Sequence, residues 1–304
     1  MLKSYDKVLD NAAWIKQATI YKETTVTTKA KIFYFHGGGL LYGSRKDLPE
    51  KHISVITQAG YEIISFDYPL APAADLEQIV PDICDSINAA CNETSLPYFL
   101  WGRSAGAYLC LIAAASGTLT RNPLGILSYY GYGLFCDNWF SEPSNYYRTL
   151  PLISASCLDH LPKTLHAEGD LETHYSAYVY ARQSGIWKDL IYRGREKFFY
   201  LNYSLRTCDE LPCPLFAAHS TGDTDVPFEE FVELCNHYHP KRFIAPGNIH
   251  DFDRDPDNAF TDSIICIVHN CQKIFFYLFI KNKYVKHIQI PFFPHLFHHS
   301  GLVL

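Results

Sequence analysis

A chain of 304 residues that is 48% hydrophobic, 15% aromatic and 19% charged can bury a sizeable core, which excludes bulk disorder. The 26 Lys and Arg against 32 Asp and Glu leave a formal charge of −6 with no long basic run, so a nucleic-acid partner is not expected and small molecules are. Ten cysteines without a CxxC pair suit a reduced, cytoplasmic compartment.

In chain order, residues 1–17 scatter charges where an export signal needs an unbroken apolar stretch, so the mature protein is expected to start near Met1. Residues 18–28 are β-prone and predict one or two leading antiparallel strands. Apolar runs follow at 31–36, 62–68, 97–104, 125–131, 214–220 and 241–245. Between them, segments 47–60, 81–92, 104–116 and 227–238 carry apolar residues at three- and four-residue spacing and predict helices. Pro81 and Pro227 suit a helix's first turn, and Gly60 suits a helix stop. The alternation predicts an α/β fold: a mostly parallel sheet flanked by helices.

After Tyr132 more than eighty residues pass before the strand at Pro214, too many for an ordinary connection, so 132–213 is expected to be an inserted helical cap. Residues 1–131 and 214–274 then form the core. Within the insertion, 170–185 reads as a helix ended by Gly185. Aromatic residues are dense there, at Trp139, Phe140, Tyr146, Tyr147, Tyr175, Tyr178, Tyr180, Trp187 and Tyr192. They either wall an apolar pocket or pack the cap onto the core. Segment 263–280 is greasy but holds His269, Asn270, Gln272 and Lys273, so it reads as a buried helix and not a membrane span. Residues 275–304 form a C-terminal extension without an assigned role.

Chemistry is concentrated in three loops. Gly102-Arg103-Ser104-Ala105-Gly106 stands between a predicted strand and a predicted helix, where a sharp elbow exposes a serine hydroxyl to a base. His36-Gly37-Gly38-Gly39 follows the strand 31–36, and its glycines let backbone N–H groups turn toward a developing alkoxide. The oxyanion hole is assigned to the N–H groups of Gly38, Gly39 and Ala105. No Lys-Ser/Thr follows at phosphate-loop spacing, so a nucleotide is not expected.

The acid and base should come later, each past a core strand. Asp223 follows 214–220 and His250 follows 241–245, so His250 would take the Ser104 proton while Asp223 fixes its tautomer. Asp225 competes with Asp223, or else caps the helix at Pro227. For His219 and His237, burial or solvation suffices. Asp251 and Asp253 either raise the base's pKa or are exposed loop acids. Cys208 and Cys213 lack a second ligand pair, so neither metal nor cofactor is expected.

At these residues the chain resembles the α/β-hydrolase superfamily, and within it the HGGG-bearing esterase/lipase group related to hormone-sensitive lipase and bacterial acetyl esterases. The resemblance covers about residues 30–270. It rests on HGGGLLYGS (36–44), DYPLAP (67–72), GRSAG (102–106), HSTGDTDVP (219–227) and the H-D-F at 250–252. It implies a carboxylic-ester hydrolase of short acyl chains with Ser104, Asp223 and His250 as triad. Related proteins often carry Glu after the second proline of DYPLAP, where this chain has Ala73 and Ala74, and they place a cap before the HGGG strand, where this chain has some thirty residues. Two rival readings keep the fold: an amide or peptide hydrolase of formamidase-like or prolyl-oligopeptidase-like type, and a non-catalytic binding scaffold. The former lacks the propeller repeats such peptidases commonly bring, and the latter conflicts with a full set of site residues.

Overall fold

The computed structural model describes residues 1–10, 14–255, Cys271 and Lys273. Apart from those last two residues, the readings of 263–280 as a buried helix and of 275–304 as an extension lie outside the described residues.

The strands are β1 (Leu2–Asp10), β2 (Lys16–Glu23), β3 (Ala30–Phe35), β4 (Tyr61–Phe66), β5 (Tyr98–Arg103), β6 (Ile126–Tyr129), β7 (Leu215–Ser220) and β8 (Lys241–Ala245). They form one sheet in the order β1-β2-β4-β3-β5-β6-β7-β8. The pairs β1–β2 and β2–β4 are antiparallel, and the pairs from β4 to β8 are parallel. Every residue of β4, β5, β6 and β7 is buried, which is why these strands read as continuous apolar runs: both sheet faces are covered. The two-residue period divides β3 between the faces. Phe33 and Phe35 join the larger core cluster, while Ile32 and Tyr34 join the smaller one.

The β-prone stretch at 18–28 supplies only one of the two leading strands, and that strand ends at Glu23. Its antiparallel partner is β1, largely exposed at the sheet edge. Backbone pairing needs no apolar alternation there, so the residues carry no strand pattern.

The helices are α1 (Glu50–Gln58), α2 (Leu76–Asn92), α3 (Ala105–Ala115), α4 (Thr173–Ser184), α5 (Trp187–Ile191), α6 (Glu196–Asn202) and α7 (Phe228–Tyr238). The expected start of α2 at Pro81 is corrected: Asp75 caps the helix, its side chain accepting from Glu77 N–H in a capping box with Gln78. Pro81 lies inside the helix, where it lacks the N–H that would reach the Glu77 carbonyl. Leu76, Ile79, Val80, Ile83 and Ile87 nevertheless bury one face, so tertiary packing outweighs the lost bond. Gly185 ends α4 at φ 72°, the left-handed stop its position suggested.

Helices α4, α5 and α6 lie in the long connection from β6 to β7. The start of that connection is anchored by buried Glu230 on α7. Its carboxylate accepts from the N–H groups of Gly133, Leu134 and Cys136 and from Trp139 Nε1. Burial lifts its pKa against those four donors.

Candidate active site

Ser104 stands where β5 turns into α3, at φ 52° and ψ −118°, a strained conformation for a residue with a side chain. Close approach sustains the elbow: a Cβ on Gly106 would sit 2.0 Å from the Phe35 carbonyl oxygen. The loops after β7 and β8 are tied to each other by Gly222 N–H donating to Gly247 O at 2.7 Å and Ser220 Oγ donating to Ile249 O at 2.7 Å. They carry Asp223 and His250 respectively.

These loops bring three side chains into line. His250 Nε2 lies 2.9 Å from Ser104 Oγ, and His250 Nδ1 lies 2.7 Å from Asp223 Oδ2. A carboxylate can only accept, so Nδ1 carries the proton and Nε2 of the neutral ring accepts from the serine hydroxyl. Asp223 is held by the N–H groups of Asp225 and Val226 on Oδ1, at 2.8 and 3.0 Å. His219 Nε2 approaches Asp223 Oδ2 at 3.2 Å and Val226 O at 3.0 Å, so this strand histidine braces the acid.

Burial opposes the imidazolium of His250, but the charge of Asp223, its hydrogen bond, and the charges of Asp225 and Asp251 outweigh it and lift the pKa to about 9. Burial likewise opposes ionisation of Asp223. The facing His250 charge and the hydrogen bonds from His219 and His250 win, holding that carboxyl below the usual carboxylate range.

The glycine loop lies against the serine: a Cβ on Gly37 would be 3.3 Å from Ser104 Cβ. Gly38 and Gly39 adopt φ 97° and 57°, and Gly38 O accepts from Leu41 and Tyr42 N–H, both at 3.0 Å. The 67–72 motif supports this loop from below. Tyr68 Oη donates to His36 O at 3.0 Å, and Ala71 N–H donates to Leu40 O at 2.8 Å. Gly38 lines a cleft of about 240 Å³ together with Ser104, Tyr42, Tyr130 and His250. Gly39 and Ala105 are not among its lining residues.

Several side chains at the site carried no signal of their own. Arg103 is 1% exposed; its Nε donates to Tyr130 Oη at 2.7 Å and its Nη2 to Asp253 Oδ1 at 3.0 Å. Asp253 also meets His52 Nε2 at 2.9 Å and accepts from Tyr130 Oη at 2.8 Å. Asp253 is therefore a fully buried acid and not an exposed one, whereas the Asp251 side chain is 45% exposed. The only hint in the sequence was adjacency: Arg103 precedes the serine and Asp253 lies three residues past the histidine.

Asp225 is corrected as well, because α7 has no side-chain cap. Its Oδ1 accepts from Tyr178 Oη at 2.6 Å, its carbonyl accepts from Arg182 Nη2 at 2.9 Å, and its Oδ2 stands 3.8 Å from His250 Nε2. It thus faces the ring nitrogen opposite to the one Asp223 holds. From the same segment, Trp187 Nε1 donates to Gly39 O at 2.8 Å, and the Tyr178 ring leaves only 2.2 Å for a Cβ on Gly39.

None of the aromatic residues named above in the insertion lines the cleft. Trp139, Phe140, Tyr147, Tyr178, Trp187 and Tyr192 instead pack into the larger core cluster, so the packing alternative describes them. His237 Nε2 contacts Cys208 O at 3.0 Å, away from the serine. Among the described residues no three His, Cys, Asp or Glu side chains are grouped to hold a metal, and no helix is long and apolar enough to cross a membrane.

Comparison with known proteins bears on the fold and the family. A family model described as alpha/beta hydrolase fold matches residues 32–192. A Staphylococcus aureus Mu50 protein of unknown function superposes with a TM-score of 0.73 at 29% identity, over 90% of this chain and 98% of that one. An alpha/beta hydrolase superfamily protein from Enterococcus faecalis gives 0.72 at 25% identity, over the same shares. Among curated proteins, the acetyl esterase of Salmonella paratyphi B is 31% identical over 120 residues, 36% of this chain and 37% of that enzyme. The non-reducing polyketide synthase adrD of Penicillium rubens is 30% identical over 125 residues, a segment spanning 5% of that synthase.

Proposed function

Because the chain belongs to the alpha/beta hydrolase fold family, in its HGGG-bearing esterase/lipase-like group, we propose that it is a serine carboxylic-ester hydrolase acting on small or short-acyl esters. The observation that carries the reading is the unbroken line Ser104 Oγ, His250 Nε2, His250 Nδ1, Asp223 Oδ2, at 2.9 and 2.7 Å. Likeness to an acetyl esterase and a cleft of about 240 Å³ favour a small acyl group.

In the first half-reaction the Ser104 Oγ–H proton moves to His250 Nε2 while Oγ bonds to the ester carbonyl carbon. The carbonyl oxygen becomes an alkoxide, which the N–H groups of Gly38, Gly39 and Ala105 stabilise. Collapse breaks the bond to the alcohol oxygen, which takes the proton from His250 and leaves. Water then loses a proton to His250 and attacks the acyl-serine; collapse returns a proton to Ser104 Oγ and releases the acid. Asp223 keeps the ring oriented and balances the imidazolium in both halves. Since the base works only when neutral, a His250 pKa near 9 makes the rate climb with pH through the alkaline range.

Residues 132–213 act in this reading as a cap on a core of 1–131 and 214–274. The nine described cysteines are free thiols, which favours a cytoplasmic setting. The test is a fluorophosphonate label located by peptide mapping, together with p-nitrophenyl acetate turnover. Label on Ser104, with turnover lost in Ser104→Ala and His250→Ala, supports the reading. Wild-type turnover in both variants overturns it.

A further inference from the structure

We propose that the cleft beside Ser104 holds a subsite for a free hydroxyl group, built from Asp47, Arg103 and Arg254, so that the substrates are small uncharged esters bearing a hydroxyl. The inference rests on the serine-hydrolase reading and names the substrate class of that same site.

All three residues line the cleft with Ser104 and His250. Asp47 Oδ1 is occupied by Tyr34 Oη at 2.8 Å. Its Oδ2 lies 3.6 Å from Arg103 Nη1 and 3.5 Å from Arg254 Nη2, at or beyond the limit of a hydrogen bond. Nε and Nη2 of Arg103 donate to Tyr130 and Asp253, whereas Nη1 has no hydrogen-bond partner although the residue is 1% exposed. A guanidinium N–H buried without an acceptor is costly, and an oxygen brought by a ligand would remove that cost.

Charge narrows what brings the oxygen. Arg103 is matched by Asp253 at 3.0 Å and Arg254 by Asp251 at 2.8 Å, so no unmatched cation awaits an anion. A cationic ligand at Asp47 Oδ2 would sit beside two guanidiniums. A ketone or ether accepts from Nη1 but leaves Oδ2 with only its long 3.5 Å contact from Arg254 Nη2. A hydroxyl does both at once: it donates to Asp47 Oδ2 and accepts from Arg103 Nη1 or Arg254 Nη2. Pairs of groups spaced 3.5–3.6 Å apart leave one such oxygen room to be shared by small adjustments of Arg254, whose side chain is 53% exposed.

The hydroxyl can belong to the alcohol part or to the acyl part, and two substrate pairs separate these sources. Glycerol monoacetate against propyl acetate adds hydroxyls on the alcohol side only; ethyl lactate against ethyl propanoate adds one on the acyl side only. Each ratio of kcat/KM is divided by the same ratio for hydroxide-catalysed hydrolysis. The expected result is a preference of about tenfold or more for the hydroxylated member of at least one pair. That preference should fall several-fold in Asp47→Asn and in Arg254→Gln, the latter altering an exposed side chain if the former fails to fold. Hydrolysis of propyl acetate and ethyl propanoate with neither pair discriminated, or a preference untouched in both variants, overturns the inference and leaves the hydrolase reading standing. No hydrolysis and no fluorophosphonate label on Ser104 overturns both.

Discussion

Two polar networks flank His250, and they are built differently. Beneath the elbow, Arg103, Asp253, His52 and Tyr130 form a charged cluster in which each residue is at most 2% exposed. They come from the core: β5, the loop after β8, α1 and the end of β6. Above it, Tyr178, Arg182 and Trp187 reach down from the insertion to Asp225 and Gly39 mainly through single hydrogen bonds. Breaking one member of a buried ion pair costs roughly 3–5 kcal/mol, whereas a hydrogen bond is worth about 1 when neutral, as from Trp187 to Gly39, and roughly 1.5–3 when one partner is charged, as from Tyr178 and Arg182 to Asp225. The lower network therefore holds the serine and histidine loops in one fold, and the upper one adjusts the groups that meet the reacting atoms.

Both networks adjoin the proposed Ser104–His250–Asp223 centre, and deleting that centre is the largest expected effect. Ser104→Ala or His250→Ala should lower kcat/KM by about 10⁴-fold or more with the melting temperature nearly unchanged. Next comes Asp253→Asn, which leaves Arg103 with Asp47 at 3.6 Å in place of its 3.0 Å counter-charge and should cost about 3 kcal/mol in urea unfolding. A loss under about 1 kcal/mol would remove the contrast between the networks.

On the cap side, Trp187→Phe keeps the aromatic packing and removes only the donor to Gly39 O. It should lower kcat about tenfold with KM little changed and stability down by about 1 kcal/mol. A change in KM alone would mean that Trp187 shapes the pocket and does not orient the glycine loop.

The smallest effect is a displacement of the pH profile. Asp225 and Asp251 add to Asp223 in raising His250, while Arg182 stands 3.9 Å from Asp225 and Arg254 pairs with Asp251. Asp225→Asn removes one of these anions, favours the neutral ring, and should move the rising limb of kcat/KM to lower pH. A limb that stays in place would show that Arg182 already cancels Asp225, and one that moves upward would overturn the role given to Asp225.

Much of this architecture was legible because its signals are local. Buried parallel strands need unbroken apolar runs, and an elbow that brings Gly106 against the Phe35 carbonyl needs glycine, so β3 to β7 and the motif around Ser104 could be read directly. Asp223 and His250 were readable as positions from their place past β7 and β8. The edge strand β1 escaped because it is held by backbone pairing, and the start of α2 was misread because Pro81 resembles a first-turn proline while Asp75 does the capping. The aromatic residues of the insertion announced burial but not what they bury against.

The sequence by itself determined the order of β3 to β8 with α1, α2, α3, α4 and α7 among them, the elbow, the glycine loop and the chain positions of the three aligned side chains. Only the tertiary structure decided that Arg103 meets Asp253 across 150 residues, that Asp225 turns to Tyr178 across 47, and that Trp187 reaches Gly39 across 148. The physical reason is range. Periodicity and turn chemistry act over a few neighbouring residues, whereas the partner of a buried charge is set by where distant loops converge on the sheet, and that convergence leaves no pattern along the chain.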